Sequence, residues 1–305
     1  MFLDKFVLPI DQEETIIEIK MDQNGGPLGY IDNPYPCGVF SRKELHQVDF
    51  DKITILYGGN GSGKSTLLNL IASKLELKRM APYNSSETFD LYVDHCGFEF
   101  GYDDEGFLQE IPENSRIITS DDIFDYMLAV RSNNFEISEE KDKVKQYHAD
   151  LKFGDTIKMQ GLQDYEKVRD QVQARRKTLS RRKFIRNLAG QEVRLNSNGE
   201  TALNYFYANL QDNTLYCLDE PENSLSPKMQ LELVKFLEEM AKYCGCQFII
   251  ATHSPFLLAL SGAKIYDLDS TPVELKKWWE LENPKTYFNF FYKNKQLFLK
   301  ENNND

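Results

Sequence analysis

Apolar positions along this chain fall into short runs separated by polar, glycine-bearing turns, and the runs differ in period. Ile53-Thr54-Ile55-Leu56-Tyr57, Thr214-Leu215-Tyr216-Cys217-Leu218-Asp219, which ends in a carboxylate, and Cys246-Gln247-Phe248-Ile249-Ile250-Ala251-Thr252 are largely apolar and of strand length, the pattern of strands covered on both faces. Arg116-Ile117-Ile118-Thr119 and Lys264-Ile265-Tyr266-Asp267-Leu268 read the same way. A helical period intervenes at Leu233, Val234, Leu237, Met240 and Ala241, opened by Ser226 as N-cap and Pro227 in the first turn. Leu67-Leu68-Asn69-Leu70-Ile71-Ala72 predicts another helix. Strand, helix and strand in this order build a parallel sheet with helical cover. Residues 15–21 (Thr-Ile-Ile-Glu-Ile-Lys-Met) predict a strand broken by Gly25-Gly26-Pro27. Residues 80–113, with alternating stretches such as Phe89-Asp90-Leu91-Tyr92-Val93, predict a small β meander or irregular edge. Residues 121–130 predict a helix, and 136–190 a charged helical region broken at Gly154 and Gly161. No internal repeat and no long heptad run is present.

Composition narrows the class. The chain has 305 residues, 41% hydrophobic and 28% charged, the balance of a soluble globular protein with a full core. It contains no apolar run long enough to span a membrane, and the start, Met1-Phe2-Leu3-Asp4-Lys5-Phe6, lacks a secretory pattern. Five cysteines without a spaced framework suggest a reducing compartment, so the expected location is the cytoplasm. Cys244-Gly245-Cys246 has no second pair to complete a zinc site.

One segment carries phosphate chemistry. Gly58-Gly59-Asn60-Gly61-Ser62-Gly63-Lys64-Ser65-Thr66 follows a predicted strand and precedes a predicted helix, the context a phosphate-binding loop requires. Its glycines let successive backbone N–H groups curl around phosphate oxygens, and the helix aims its positive end at the same anion. Lys64 supplies a point charge for the β- and γ-phosphates and Ser65 a hydroxyl for Mg²⁺. Asp219-Glu220, at the end of an apolar strand, is the expected companion: Asp219 to hold Mg²⁺ directly or through water, Glu220 to polarise the attacking water.

From here the sequence resembles a known family. Leu218-Asp219-Glu220-Pro221-Glu222-Asn223-Ser224-Leu225-Ser226-Pro227 is similar to the extended Walker B and D-loop segment of ABC-type ATPases, closest to the soluble branch related to SMC, RecF and overcoming-lysogenization-defect proteins. Ser197-Asn198-Gly199-Glu200, 22 residues before Asp219, resembles a divergent signature motif. Ala251-Thr252-His253-Ser254-Pro255, with His253 33 residues beyond Glu220, resembles a switch-histidine segment. The resemblance implies an α/β fold of the P-loop NTPase, ABC-ATPase type: a mostly parallel central sheet, an N-terminal β portion and a helical insertion. It implies one ATPase domain over 1–305, the insertion at about 131–192 and a C-terminal extension at 270–305. It further implies ATP and Mg²⁺ as ligands and a catalytic set of Lys64, Glu220 and His253. Gly58, Asn60, Gly61, Ser62, Gly63, Lys64, Ser65 and Thr66 would hold the nucleotide of their own chain. Ser197, Asn198 and Gly199 would meet the nucleotide of a second copy, with Ser224-Leu225-Ser226 across the seam. Asp121 and Gln109 are alternatives for the glutamine-loop position, and Tyr35 or Phe40 for a ring against adenine.

The function these features predict is Mg²⁺-dependent ATP hydrolysis by a homodimer that closes around ATP. The resemblance points to DNA repair or anti-phage defence, beside a separate effector such as a nuclease. Two other readings stay open: the ATPase subunit of a membrane transporter, against which the Ser-Asn-Gly-Glu signature speaks, and an ATP-sensing module without turnover. A nuclease activity of the chain itself has little support, because only residues 270–305 follow the last motif. The charge of −12 disfavours non-specific nucleic-acid binding by the body of the chain. Between Glu166 and Arg186, however, nine basic residues face two acidic ones, a net +7. This stretch is either a contact surface for nucleic acid or an acidic partner, or a solvated helical face. As a contact surface it predicts that neutralising Arg175, Arg176, Arg181 and Arg182 weakens DNA or RNA binding and flattens its salt dependence, measured by fluorescence anisotropy across a salt series. Unchanged affinity and slope mark a solvated face.

Overall fold

The computed structural model describes residues 1–24, 34–83, 85–103, 105–155, 165–175 and 198–300. These divide into two compact units, one of residues 1–123 and 202–305, the other of residues 124–201.

In the larger unit the apolar runs pair as a six-stranded sheet. Its strands are β3 (Ile53–Tyr57), β5 (Arg116–Thr119), β6 (Leu215–Asp219), β7 (Gln247–Thr252), β8 (Lys264–Asp267) and β9 (Glu274–Leu275), in the order β5-β6-β7-β3-β8-β9. All neighbours are parallel except β8 and β9. Every residue of β3 and β7 is buried, which is why both strands are mostly apolar rather than alternating. Helix α2 (Lys64–Lys74) buries Leu67, Leu68, Leu70 and Ile71 in the same core as Cys217, Ile249 and Ala251. A second sheet, order β2-β1-β4, is antiparallel and formed by β1 (Leu3–Val7), β2 (Gln47–Asp49) and β4 (Gly97–Phe100).

Gln247 joins the sheets. Its side chain is buried; its Oε1 accepts from Phe2 N and Leu3 N at 2.9 Å each, and its Nε2 donates to Leu3 O at 2.7 Å and Asp51 O at 3.3 Å. One amide thus satisfies main-chain groups of the strand that starts the smaller sheet.

Two expectations are overturned. Residues 15–21 lie in helix α1 (Asp11–Asn24), not a strand. Asp11, Glu13 and Glu14 sit in its first turn, where carboxylates suit the helix dipole, and the Glu13 carboxylate accepts from Ile10 N at 3.0 Å. Glu14 and Ile17, one turn apart, are the residues that it buries. The buried Glu14 carboxylate accepts from Gly38 N, Ser41 Oγ and the Tyr92 hydroxyl at 2.7–3.0 Å, so helix position outweighs β-branched propensity here. Likewise Phe89-Asp90-Leu91-Tyr92-Val93 belongs to helix α3 (Glu87–His95). Ser86 caps it by accepting from Phe89 N, and Thr88, Phe89 and Tyr92 form its buried face. The expected helix at 121–130 is the start of a longer one, α4 (Ser120–Phe153).

Helix α5 (Tyr165–Arg175), in the smaller unit, packs on the last turns of α4: Leu151 and Ala174 are buried together, and Arg175 donates to the carbonyls of Leu151 and Gly154. Gly161 and the basic residues at 176–186 lie outside the described residues. Helix α6 (Asn198–Asn209) contains Asn198, Gly199 and Glu200 of the expected signature motif.

Helix α7 (Pro227–Tyr243) turns Leu233, Leu237, Met240 and Ala241 inward as its period predicts. Ser226 holds the N-cap position with an extended backbone but makes no side-chain capping bond. The short helix α8 (Pro255–Leu258) is capped by Ser254. Beyond the sheet, α9 (Glu282–Lys293) and α10 (Lys295–Lys300) leave Tyr287, Phe288, Phe290, Phe291, Tyr292 and Phe298 exposed. No described helix is long and apolar enough to cross a membrane. The five cysteines are unpaired.

Replacing Gln247 by Ala leaves two buried amides and a carbonyl without partners, so urea denaturation should show a loss of about 2–3 kcal/mol with the m-value unchanged.

Candidate functional site

Parallel pairing sets the ends of four strands side by side. Tyr57 of β3 is opposite Thr252 of β7 and Asp267 of β8, and Asp219 of β6 is opposite Ala251. The loops leaving these ends therefore emerge along one edge, where ligands bind in open α/β sheets.

The loop between β3 and α2 curls back over its own first residues. Gly61 and Gly63 adopt the left-handed conformation, φ 79° and 99°, which glycine enters without cost. A Cβ on Gly58 would lie 2.5 Å from Ser62 Oγ, and one on Gly63 3.1 Å from Val39 and 3.2 Å from Phe40. Both positions therefore need glycine for the turn to close. Lys64 is buried and donates to Gly58 O at 2.7 Å and Gly59 O at 3.0 Å. Two residues missed in the sequence brace the loop. Lys43 donates to Ser62 O at 2.6 Å and Leu268 O at 2.5 Å, and the Asp269 carboxylate accepts from Gly59 N at 2.8 Å. Burial, with Lys64 nearby, pulls the Lys43 ammonium below its ordinary pKa despite Asp269 and Asp267.

The carboxylates meet this loop. Ser65 Oγ donates to Asp219 Oδ1 at 3.0 Å. Burial raises the Asp219 pKa to about 6, with Glu220 adding to the rise and Ser65 and Lys64 opposing it. Glu220 stands next, with φ 48°, a strained value for a residue with a side chain, fixed by its amide donating to Ala251 O at 2.9 Å. Its carboxylate lies 3.9 Å from Lys64 Nζ and 3.6 Å from His253 Nδ1, and accepts from Asn223 Nδ2 at 3.1 Å. His253 is 44% exposed in its side chain, so the ring borders solvent while its turn is anchored. The structure thus brings Lys64, Ser65, Asp219, Glu220 and His253 together in the larger unit.

Two cavities flank this group. One of about 300 Å³ is lined by residues 59–66 and Glu220, which places Asn60, Gly61, Ser62, Gly63 and Thr66 on its wall. Another of about 330 Å³ includes Tyr35, Arg79, Tyr83, Asp121 and Asp219 in its lining. Asp121 is therefore beside the carboxylate site. Gln109 lines neither cavity, and its amide donates to Asp103 at 2.9 Å. Phe40 is fully buried against Gly63 and is a core residue, not a ring open to a base. Tyr35 donates to Thr66 Oγ1 at 2.7 Å and stacks on Phe89. Asn198 and Gly199 belong to α6 and to the smaller unit, where Arg131 donates to the Asn198 side chain, and Ser197 lies outside the described residues.

These groups fit a nucleotide with Mg²⁺. The loop is a cradle that a Cβ would fill, the buried Ser62 hydroxyl has no hydrogen-bond partner among the described residues, and a hydroxyl and a carboxylate sit 3.0 Å apart as hard oxygen donors.

A glycine cradle between a buried parallel strand and a helix, faced by an Asp-Glu pair from another strand, is the arrangement of a phosphate-binding loop in a mostly parallel α/β fold. Residues 148–259 match the family model described as "AAA domain, putative AbiEii toxin, Type IV TA system". The glycine loop at 58–66 lies outside that match. Similar solved structures are distant. The SMC head domain from Thermotoga maritima is 13% identical over 91% of this chain and 99% of its own, TM-score 0.39. The Smc head domain bound to the C-terminal domain of ScpA, from Pyrococcus furiosus, is 14% identical over 82% and 95%, TM-score 0.39. The dimeric, post-hydrolysis ATP-binding cassette MJ0796 bound to ADP and Pi is 16% identical over 76% and 88%, TM-score 0.35.

A buried acid with a raised pKa binds its proton more tightly folded than unfolded. Without divalent ions, Asp219 therefore costs stability that grows as pH rises from about 4 to about 6. Urea titrations at pH 4.5 and 7.5 should show Asp219→Asn gaining on the wild type by on the order of 2 kcal/mol at the higher pH.

Proposed function

We propose that this chain hydrolyses ATP with Mg²⁺, and that two copies close around the nucleotide. The observation that carries the reading is the placement of Glu220: its carboxylate borders the phosphate cradle, 3.9 Å from Lys64 and 3.6 Å from His253. Such a group would polarise a water attacking a γ-phosphate, beside an imidazole that would sense that phosphate. Lys64 and the amides of Asn60, Gly61, Gly63, Lys64 and Ser65 would bind the phosphates, and the start of α2 adds its dipole. Ser65 and Asp219 would hold Mg²⁺, which supplies charge neutralisation on the β- and γ-oxygens. Asp219 would bind the ion as a carboxylate, because a divalent cation reverses the burial effect on its proton.

The roles of Ser197, Asn198 and Gly199 follow the family resemblance: they would meet the γ-phosphate held by a second copy, with Ser224-Leu225-Ser226 at the seam. Hydrolysis would then release contacts that hold the two copies together, a switch driven by one phosphate. The same resemblance supports work beside a separate effector in a DNA-linked or defence role, and the cysteine usage supports a cytoplasmic setting.

Glu220→Gln keeps the shape of the site and removes the base. Phosphate-release assays should show turnover falling by about 10²–10⁴-fold while the affinity for MgATP is retained. Equal turnover in the two proteins would remove Glu220 from the reaction.

A further inference from the structure

Two residues beyond Glu220 the same loop carries a second carboxylate, Glu222, which the hydrolysis reading does not use. Its side chain is buried, and its Oε1 accepts three hydrogen bonds from one short turn: Thr252 Oγ1 at 2.5 Å, His253 N at 3.1 Å and Ser254 N at 3.2 Å. Further bonds tie the turn to the loop. Ser254 N also donates to Thr252 Oγ1 at 3.0 Å, Ser254 Oγ donates to Gln230 Oε1 at 2.6 Å, and Gln230 Nε2 donates to Leu225 O at 2.9 Å. Residues 222–225 and 252–254 are therefore one hydrogen-bonded body.

The chemistry exceeds what holding the turn requires. A carboxylate is costly to bury, and Glu222 shares this corner with Asp219 and Glu220, both also acidic. Its Oε2 is buried with no hydrogen-bond partner among the described residues, so the bonds all run toward the histidine turn. The His253 ring is partly exposed, and its Nδ1 lies 3.6 Å from Glu220 and 3.8 Å from Glu222. The ring's place relative to Glu220 is thus set through its backbone, and Glu222 holds that backbone by charge-assisted bonds.

The geometry points to Glu222 as a positioning residue that couples the loop after Glu220 to His253, so that displacement of residues 222–225 moves the imidazole against the catalytic carboxylate. This rests on the hydrolysis reading above. Glu222 acts through His253 and does not touch ATP.

A double-mutant cycle on the full chain tests it, with circular dichroism melts confirming folding. Glu222→Gln should lower kcat by about tenfold with KM for ATP changed by less than about twofold, the loss of one charge-assisted contact. His253→Ala should lower kcat as well, and in that background Glu222→Gln should have no further effect. Thr252→Val, which removes the hydroxyl that donates to Glu222 and accepts from Ser254 N, should repeat a smaller kcat loss that also vanishes without His253, and it serves if Glu222→Gln does not fold. Losses that multiply, or a wild-type kcat in Glu222→Gln, overturn the coupling. A wild-type kcat in His253→Ala overturns the role of His253 itself, and a wild-type chain without turnover overturns the hydrolysis reading; these outcomes are distinct.

Discussion

The register of β6, β7 and β3 is the constraint on which the site depends. With Tyr57 opposite Thr252 and Asp219 opposite Ala251, three loops leave the sheet at one level, and each functional group lies within a few residues of a strand end. A slip of one residue in any of these pairings would shift a loop by about 3.3 Å and send every side chain to the opposite face of the sheet. The fully buried strands resist that slip, because every position in β3 and β7 would exchange one packed face for another. The apolar runs therefore do more than fill a core: they set the distance between phosphate loop, carboxylates and histidine.

Unfavourable terms gather at that edge. Glu220 holds a positive φ at an expected cost of about 1–3 kcal/mol, Asp219 is an acid forced into a buried position, and Glu222 is a third carboxylate beside them. Each is held by specific bonds from neighbouring strand ends: Ala251 O for the Glu220 amide, Ser65 for Asp219, the Thr252–Ser254 turn for Glu222. Concentrated negative charge beside a cradle of amides and one buried lysine suits a site completed by a phosphate chain and a divalent cation.

Much of this was legible in the sequence, for identifiable reasons. The strands at 53–57, 215–219 and 247–252 announce themselves because burial on both faces favours a continuous apolar run over alternation. The glycine loop is legible because its backbone permits few alternatives to glycine at 58, 61 and 63. Residues 15–21 and 89–93 misled, because β-branched and aromatic residues in short windows satisfy a strand pattern while capping groups outside the window decide for helix. Lys43, Asn223 and Asp269 gave no local signal. Their roles arise from which strands are neighbours: Asp269 reaches Gly59 only because β8 pairs beside β3. Gln247 did leave a mark, a polar residue opening an apolar strand, whose meaning appears only once β1 is placed against it.

The most direct test of the account is the rate of phosphate release from MgATP by the purified chain, followed across a range of chain concentrations. The account predicts release above background, with a rate per chain that rises with concentration to a plateau as paired copies complete each other's sites. Release indistinguishable from background at every concentration would contradict it.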